Sequence, residues 1–144
     1  SSEVIEVEVD SETGEVKMLN TTLAHDCGYP INPMDVEGQI HGCVSLAHAM
    51  SLKEEMYWQD GKMLNPSFLD YSFPTAMDES PIKTIIVESA EPDGPFGGKE
   101  AGEAPCHTGP GAVANAIYNA TGVRLKEVPI SPHRILKALQ EKKA

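Results

Sequence analysis

Thr84-Ile85-Ile86-Val87-Glu88, and downstream of it Gly94-Pro95-Phe96-Gly97-Gly98-Lys99-Glu100-Ala101-Gly102-Glu103, decide how this chain is read. The first run is rich in β-branched residues and predicts a strand. The second is a glycine-rich loop that closes on a carboxylate ahead of a helix-like run. Glycines let a backbone approach a bulky anionic ligand with its amides free to donate, and the spacing brings one ionisable side chain to that ligand. The simpler alternative is a turn joining a strand to a helix. A nucleotide P-loop is excluded, because Asp93 stands where its first glycine belongs and Glu100 replaces the magnesium-binding hydroxyl.

Working outward, Val4, Ile5, Val7 and Val9 interleave with acidic residues, Asp10-Ser11-Glu12-Thr13-Gly14 turns the chain, and Val16, Met18 and Leu19 resume. That pattern predicts a hairpin with one solvated face. A helix follows, with Asn32 as N-cap, Pro33 at the first position, and Val36, Ile40, Val44, Leu46, Ala47 and Met50 as the buried stripe. Gly38 and Gly42 weaken that helix relative to alanine, so a ligand or another backbone is expected to approach them closely.

Glu54 to Trp58 predicts a strand turned by Gln59-Asp60-Gly61-Lys62, and Pro110 to Thr121 a tightly packed helix ended by Gly122. Arg124 to Val128 predicts a short strand. Ser131-Pro132 caps a final helix, with Ile135, Leu136 and Leu139 facing inward and Lys137, Lys142 and Lys143 favouring its carboxy-terminal end. The fold class is α+β, a mixed sheet with packed helices, and no repeat or linker marks a boundary within residues 1–144.

The 144 residues suit one domain, and the net charge of −11 argues against nucleic acid and anionic membranes as partners. No run is long and apolar enough to cross a bilayer. Cys27, Cys43 and Cys106 are odd in number and widely spaced, so they assemble neither an iron-sulfur set nor a zinc ribbon and are expected as reduced thiols. His41 and His48 share a helix face without a third ligand, and no metal-ligating residue is assigned. Cys106-His107, just after Glu103, lies where a substrate contact is conceivable, but no partner base accompanies the thiol.

Ala24-His25-Asp26-Cys27-Gly28-Tyr29-Pro30-Ile31-Asn32-Pro33, running into Gly38-Gln39-Ile40-His41-Gly42, resembles the D-x-G-x-x-x-N-P and G-Q-x-x-G segments of the molybdopterin-binding large subunit of the xanthine dehydrogenase and aldehyde oxidoreductase family. The later Gly97 to Glu103 stretch resembles that family's glutamate loop. Leu64-Asn65-Pro66-Ser67-Phe68-Leu69-Asp70-Tyr71, with Gly97-Gly98-Lys99-Glu100-Ala101, leans toward the 4-hydroxybenzoyl-CoA reductase branch. The resemblance runs from about Glu6 to Lys142 and falls on the carboxy-terminal end of a much longer subunit. The chain is therefore expected to be a fragment or a split subunit.

The resemblance implies that Glu103 is the catalytic base, taking a proton during attack on an electron-poor carbon. The bare-residue alternative for Glu103 is a carboxylate capping the helix that follows. Gly98, Lys99, Glu100, Ala101 and Gly102 would contact the molybdenum-bearing pterin, in simple or dinucleotide form, through their backbone, with Lys99 as a point charge. Gly38, Gln39 and Ile40 would add a side-chain amide and helix-start amides. Glu100 followed by Ala101, where many relatives have glycine and a small aliphatic residue, would place an extra carboxylate near the cofactor.

The same resemblance implies partners: the remainder of the subunit, an iron-sulfur subunit, a flavin subunit carrying FAD, and a small-molecule substrate, in a cytoplasmic complex. The chemistry would be hydroxylation or reductive dehydroxylation of an aromatic or aldehyde-like substrate, with the isolated chain inactive. The alternatives are a non-catalytic assembly module and an independent acidic binding domain.

Overall fold

The computed structural model describes residues 1–143, and the side chain of Lys143, expected at a helix end, lies outside the described residues. Strands β1 (Ser2–Val9) and β2 (Val16–Asp26) form the hairpin. Asp10 makes its turn, accepting the amides of Glu12 at 2.7 Å and Thr13 at 3.2 Å on one carboxylate oxygen. Gly14 follows at φ 76°, where a Cβ would run into the Pro132 carbonyl at the start of the last helix. Only glycine closes the turn that tightly.

Helix α1 (Pro33–Leu52) comes next, then the two-residue strands β3 (Trp58–Gln59) and β4 (Lys62–Met63), and then β5 (Ile82–Val87). The sheet order is β1-β2-β5, with β1 antiparallel and β5 parallel to β2, so the sheet is mixed as expected. Between Glu6 and Val7 the register shifts by one residue, so Val7 pairs with Met18 while Glu6 pairs with Asn20. The bulge at Leu19 puts Met18 and Thr21 on the same buried face despite their odd spacing.

Two short 3-10 segments, Pro95–Gly97 and Ala104–Thr108, lead into α2 (Gly109–Thr121), and α3 (Pro132–Lys143) closes the chain. The helices α1 and α2 pack on one sheet face and on each other. Met18, Val113, Ile117, Ile130 and Ile135 make one core cluster, and Leu23, Ile40 and Val44 a second. Val113 and Ile117 lie four apart on α2, the spacing of a buried helical stripe.

Several expectations need correction. On α1 the buried side is Ile40, Cys43, Val44, Ala47, His48, Ala49 and Ser51, whereas Leu46 and Met50 are exposed. The error came from counting apolar residues alone: Cys43, His48 and Ser51 are buried with hydrogen-bond partners. Asn32 holds the N-cap position, but its side chain donates to Asp35 instead of capping. Arg124 to Val128 forms no strand; Arg124 turns back onto α2, stacking over the Tyr118 ring at 4.1 Å and donating to Asn115 at 2.7 Å. The strand expected at Glu54–Trp58 reduces to its last residue, joined to β4 through Asp60 and Gly61, both at positive φ. Gly122 ends α2 at φ 70° as expected, while Lys142 donates to Thr121 at that helix end, not at its own.

Candidate functional site

The two sequence motifs meet at the end of the β2–β5 pair. Beyond Asp26 the chain runs beside the glycine-rich loop: Gly28 bridges Gly98, the Tyr29 amide donates to Gly97 O at 2.8 Å, and the Lys99 amide donates to Cys27 O at 2.7 Å. Gly28 lies at φ 66°, and a Cβ there would overlap the Gly97 carbonyl. Only glycine permits this approach. The loop itself turns through Phe96 and Gly97 at φ 55° and 77°, with the Phe96 ring exposed.

Asp26 locks the junction. Its carboxylate receives Lys99 Nζ at 2.8 Å and Ser89 Oγ at 2.8 Å on one oxygen and the Gly28 amide at 2.9 Å on the other. The Lys99 ammonium, then that amide and hydroxyl, hold the Asp26 carboxyl well below the usual carboxylate range. Lys99 is thus paired within the chain, which corrects its expected role as a free charge for the cofactor.

Glu100 is the second correction. Its carboxylate accepts the Glu103 amide at 2.5 Å and the Ala104 amide at 3.1 Å, capping the 3-10 helix Ala104–Thr108. Those amide bonds outweigh partial desolvation and lower its pKa. The capping carboxylate is therefore Glu100, three residues before the residue for which a cap was the alternative reading. Glu103 occupies the N-cap position with no side-chain cap bond; its carboxylate is exposed and, among the described residues, takes no hydrogen bond. It is left available to a ligand.

The backbone of Glu100 is anchored as well. Its carbonyl lies 2.9 Å from Nε2 of His25, a buried β2 residue, and since a carbonyl only accepts, Nε2 carries the proton. Ser1 Oγ then donates to Nδ1 at 2.8 Å. Among the described residues, the amides of Glu100 and Ala101 donate to no protein acceptor. Two free amides on an anchored loop suit an anionic ligand.

Helix α1 supplies the opposite wall. A Cβ on Gly102 would lie 3.5 Å from Glu100 Oε1 and 3.7 Å from Gln39 Oε1, so the missing side chain leaves a notch between loop and helix. Cys43, one turn after Gln39, donates its thiol to Gly102 O at 2.9 Å. Burial, helped by the neighbouring Cys106 thiol, pushes the Cys43 thiol up to about 12, so it stays protonated and keeps donating.

Not every predicted contact is offered. The helix begins at Pro33 and Val36 already donates to Asn32 O, so Gly38, Gln39 and Ile40 lie beyond the free amides of the first turn. Ile40 is fully buried against Leu23 and Val44 and serves packing. Gln39 retains its exposed side-chain amide. Gly38 and Gly42 meet nothing within 4 Å in place of a Cβ, so no backbone of this chain approaches them. Gly98 is extended at φ −78°, and a Cβ there would press on Pro95 O at 3.3 Å.

Sequence reasoning passed over Asp26, His25, Ser89 and Cys43. Asp26 and His25 sat inside the quoted motif, and Cys43 one turn beyond Gln39, so spacing alone could have nominated them. Ser89 is placed by the parallel β5 crossing and has no local signal. Among the described residues, no group of three His, Cys, Asp or Glu side chains could hold a metal ion, and no helix is long and apolar enough to cross a membrane.

This geometry has relatives. Residues 2–79 match the family model of the molybdopterin cofactor-binding domain. The xanthine dehydrogenase molybdenum-binding subunit of Escherichia coli O157:H7 is 34% identical over 133 residues, 91% of this chain and 18% of that protein. Quinoline 2-oxidoreductase from Pseudomonas putida 86 superposes with a TM-score of 0.87 at 35% identity over 94% of this chain and 18% of its own. Aldehyde oxidoreductase from Desulfovibrio gigas gives 0.85 at 31% identity, covering 93% and 15%. The chain thus spans about one fifth of the length of these relatives. A domain match over more than half the sequence, with a shared fold at this level of identity, makes the chain a member of the molybdopterin cofactor-binding domains of the xanthine dehydrogenase and aldehyde oxidoreductase family.

Proposed function

We propose that residues 1–144 are the carboxy-terminal portion of a molybdopterin-binding domain and supply a catalytic base and one wall of the cofactor site in a molybdenum hydroxylase-type oxidoreductase. The observation that carries this reading is the notch at Gly102. There the G-Q-x-x-G helix and the glutamate loop converge, beside two unpaired amides and an exposed, unbonded Glu103. The cofactor, when bound, supplies the redox chemistry. Glu100 and Ala101 amides would hold its anionic edge, Gln39 would donate or accept at its rim, and Gly102 would allow close approach. Glu103 would take the substrate-side proton.

The exposure of Glu103 in this chain leaves the exclusion of water to the remainder of the subunit, since a proton-abstracting carboxylate works best in a dry site. Iron-sulfur and FAD-bearing partner subunits, a dinucleotide form of the pterin and a cytoplasmic setting follow from the same reading. So does an aromatic or aldehyde-like substrate. The lean toward a 4-hydroxybenzoyl-CoA reductase-like substrate rests on Leu64–Tyr71 and Gly97–Ala101 alone.

Glu103→Gln in the complete enzyme tests the assignment, because the amide keeps the shape and loses the base. Turnover should fall by roughly two to four orders of magnitude with molybdenum content intact. Retention of half the activity would remove Glu103 from the role.

A further inference from the structure

Beneath the loop lies a charged group that the site above does not use. The Glu3 carboxylate on β1 is wholly enclosed, with 0% of its side chain exposed, and faces His48 of α1, whose side chain is 8% exposed. One oxygen lies 3.2 Å from His48 Nε2; the other accepts the Thr108 hydroxyl at 2.9 Å. Gly109, the next residue, lacks a Cβ that would overlap Ala47 and sit 3.5 Å from Glu3, so α2 starts hard against this pair.

A buried ion pair is poor value as a source of stability, because desolvation consumes most of the attraction. Its usefulness lies in demanding one geometry from the groups around it. Thr108 ends the 3-10 helix that begins immediately after Glu103, and the front of that helix is already capped by Glu100. A helix this short, fixed at both ends, has little freedom to rotate about its axis.

We infer that Glu3 is a positioning residue: through Thr108, and supported by His48, it pins the rear of the Ala104–Thr108 helix and so sets the direction in which Glu103 points. The inference rests on the reading of Glu103 as the base. It assigns a use to a carboxylate that touches neither cofactor nor substrate.

The test uses the complete, molybdenum-loaded enzyme. Thr108→Val removes the hydroxyl and keeps the shape; Thr108→Ser keeps the hydroxyl. In Thr108→Val, kcat should fall about tenfold to a hundredfold, as displacement of a reacting group by an ångström does, with KM within about twofold of the parent. Molybdenum content should hold, and amide exchange across residues 104–108 should quicken. Thr108→Ser should restore both kcat and exchange. Parental kcat and exchange in Thr108→Val would overturn the inference, as would equal losses in the two variants or a loss of kcat matching a loss of molybdenum.

Glu3→Gln is the second variant and decides the matter if Thr108→Val does not fold: parental kcat and exchange there overturn the inference. Glu103→Gln run in parallel separates the two readings. If it is fully active the base assignment fails, and exchange alone then decides the tether. If it is inactive beside a fully active Thr108→Val, only the tether fails.

Discussion

Gly28 and Gly38 stand ten residues apart in one motif, and the chain uses them in opposite ways. At Gly28 a Cβ would overlap the Gly97 carbonyl, and φ is 66°; at Gly38 a Cβ would meet nothing within 4 Å, in ordinary helix. The first glycine is required by the fold of this chain, since it lets the two motif loops lie side by side. The second costs helix stability with no return inside the chain, so its use lies with something outside: cofactor or the remainder of the subunit. Glycines of one signature therefore need not serve one purpose.

The comparison can be broken most decisively at Gly28. Gly28→Ala forces a side chain into a left-handed conformation and against a backbone carbonyl, and should lower the local stability of the loop junction by about 2–4 kcal/mol. Hydrogen exchange at the Tyr29 and Lys99 amides reads this directly, because both bonds cross the junction. Parental protection at those amides would show that the approach can relax without glycine.

A smaller effect of opposite sign is expected at Gly38. Gly38→Ala fills open space on a helix, so α1 should gain about 1 kcal/mol of local stability, the ordinary glycine-to-alanine difference. In the complete enzyme the same methyl should reduce molybdenum occupancy, measured by elemental analysis, if the cofactor occupies that space. A stabilised helix with full occupancy would leave Gly38 without a ligand-facing use.

The smallest effect is on acid behaviour. Asp26 has a folded pKa depressed below its unfolded value by Lys99, Gly28 and Ser89. Its contribution is therefore fully present above the unfolded pKa of about 3.9, and fades as pH falls through the folded value. Protection of the Tyr29 and Lys99 amides should weaken on acidification in that range, and Asp26→Asn should flatten the dependence. An unchanged acid profile in Asp26→Asn would assign the junction's stability to its backbone bonds alone.

Local chemistry made the hairpin, the α1 start at Pro33, the Asp60-Gly61 turn and the Gly122 helix end legible in the sequence, because each depends on side chains a few residues apart. The motif pair also announced the family and nominated Gln39, Gly102 and Glu103. The sequence could not say which carboxylate caps and which stays free. Glu100 and Glu103 are both placed to reach helix amides, and the choice falls to Glu100 only once His25 and Cys43, on separate elements, fix the backbone on either side. Nor could it foresee that Lys99 would be spent on Asp26, 73 residues away in sequence, since parallel pairing of β2 with β5 brings them together. Burying Glu3 against His48 and Thr108 likewise needs β1, α1 and the start of α2 at one point, and that meeting exists only in the packed chain.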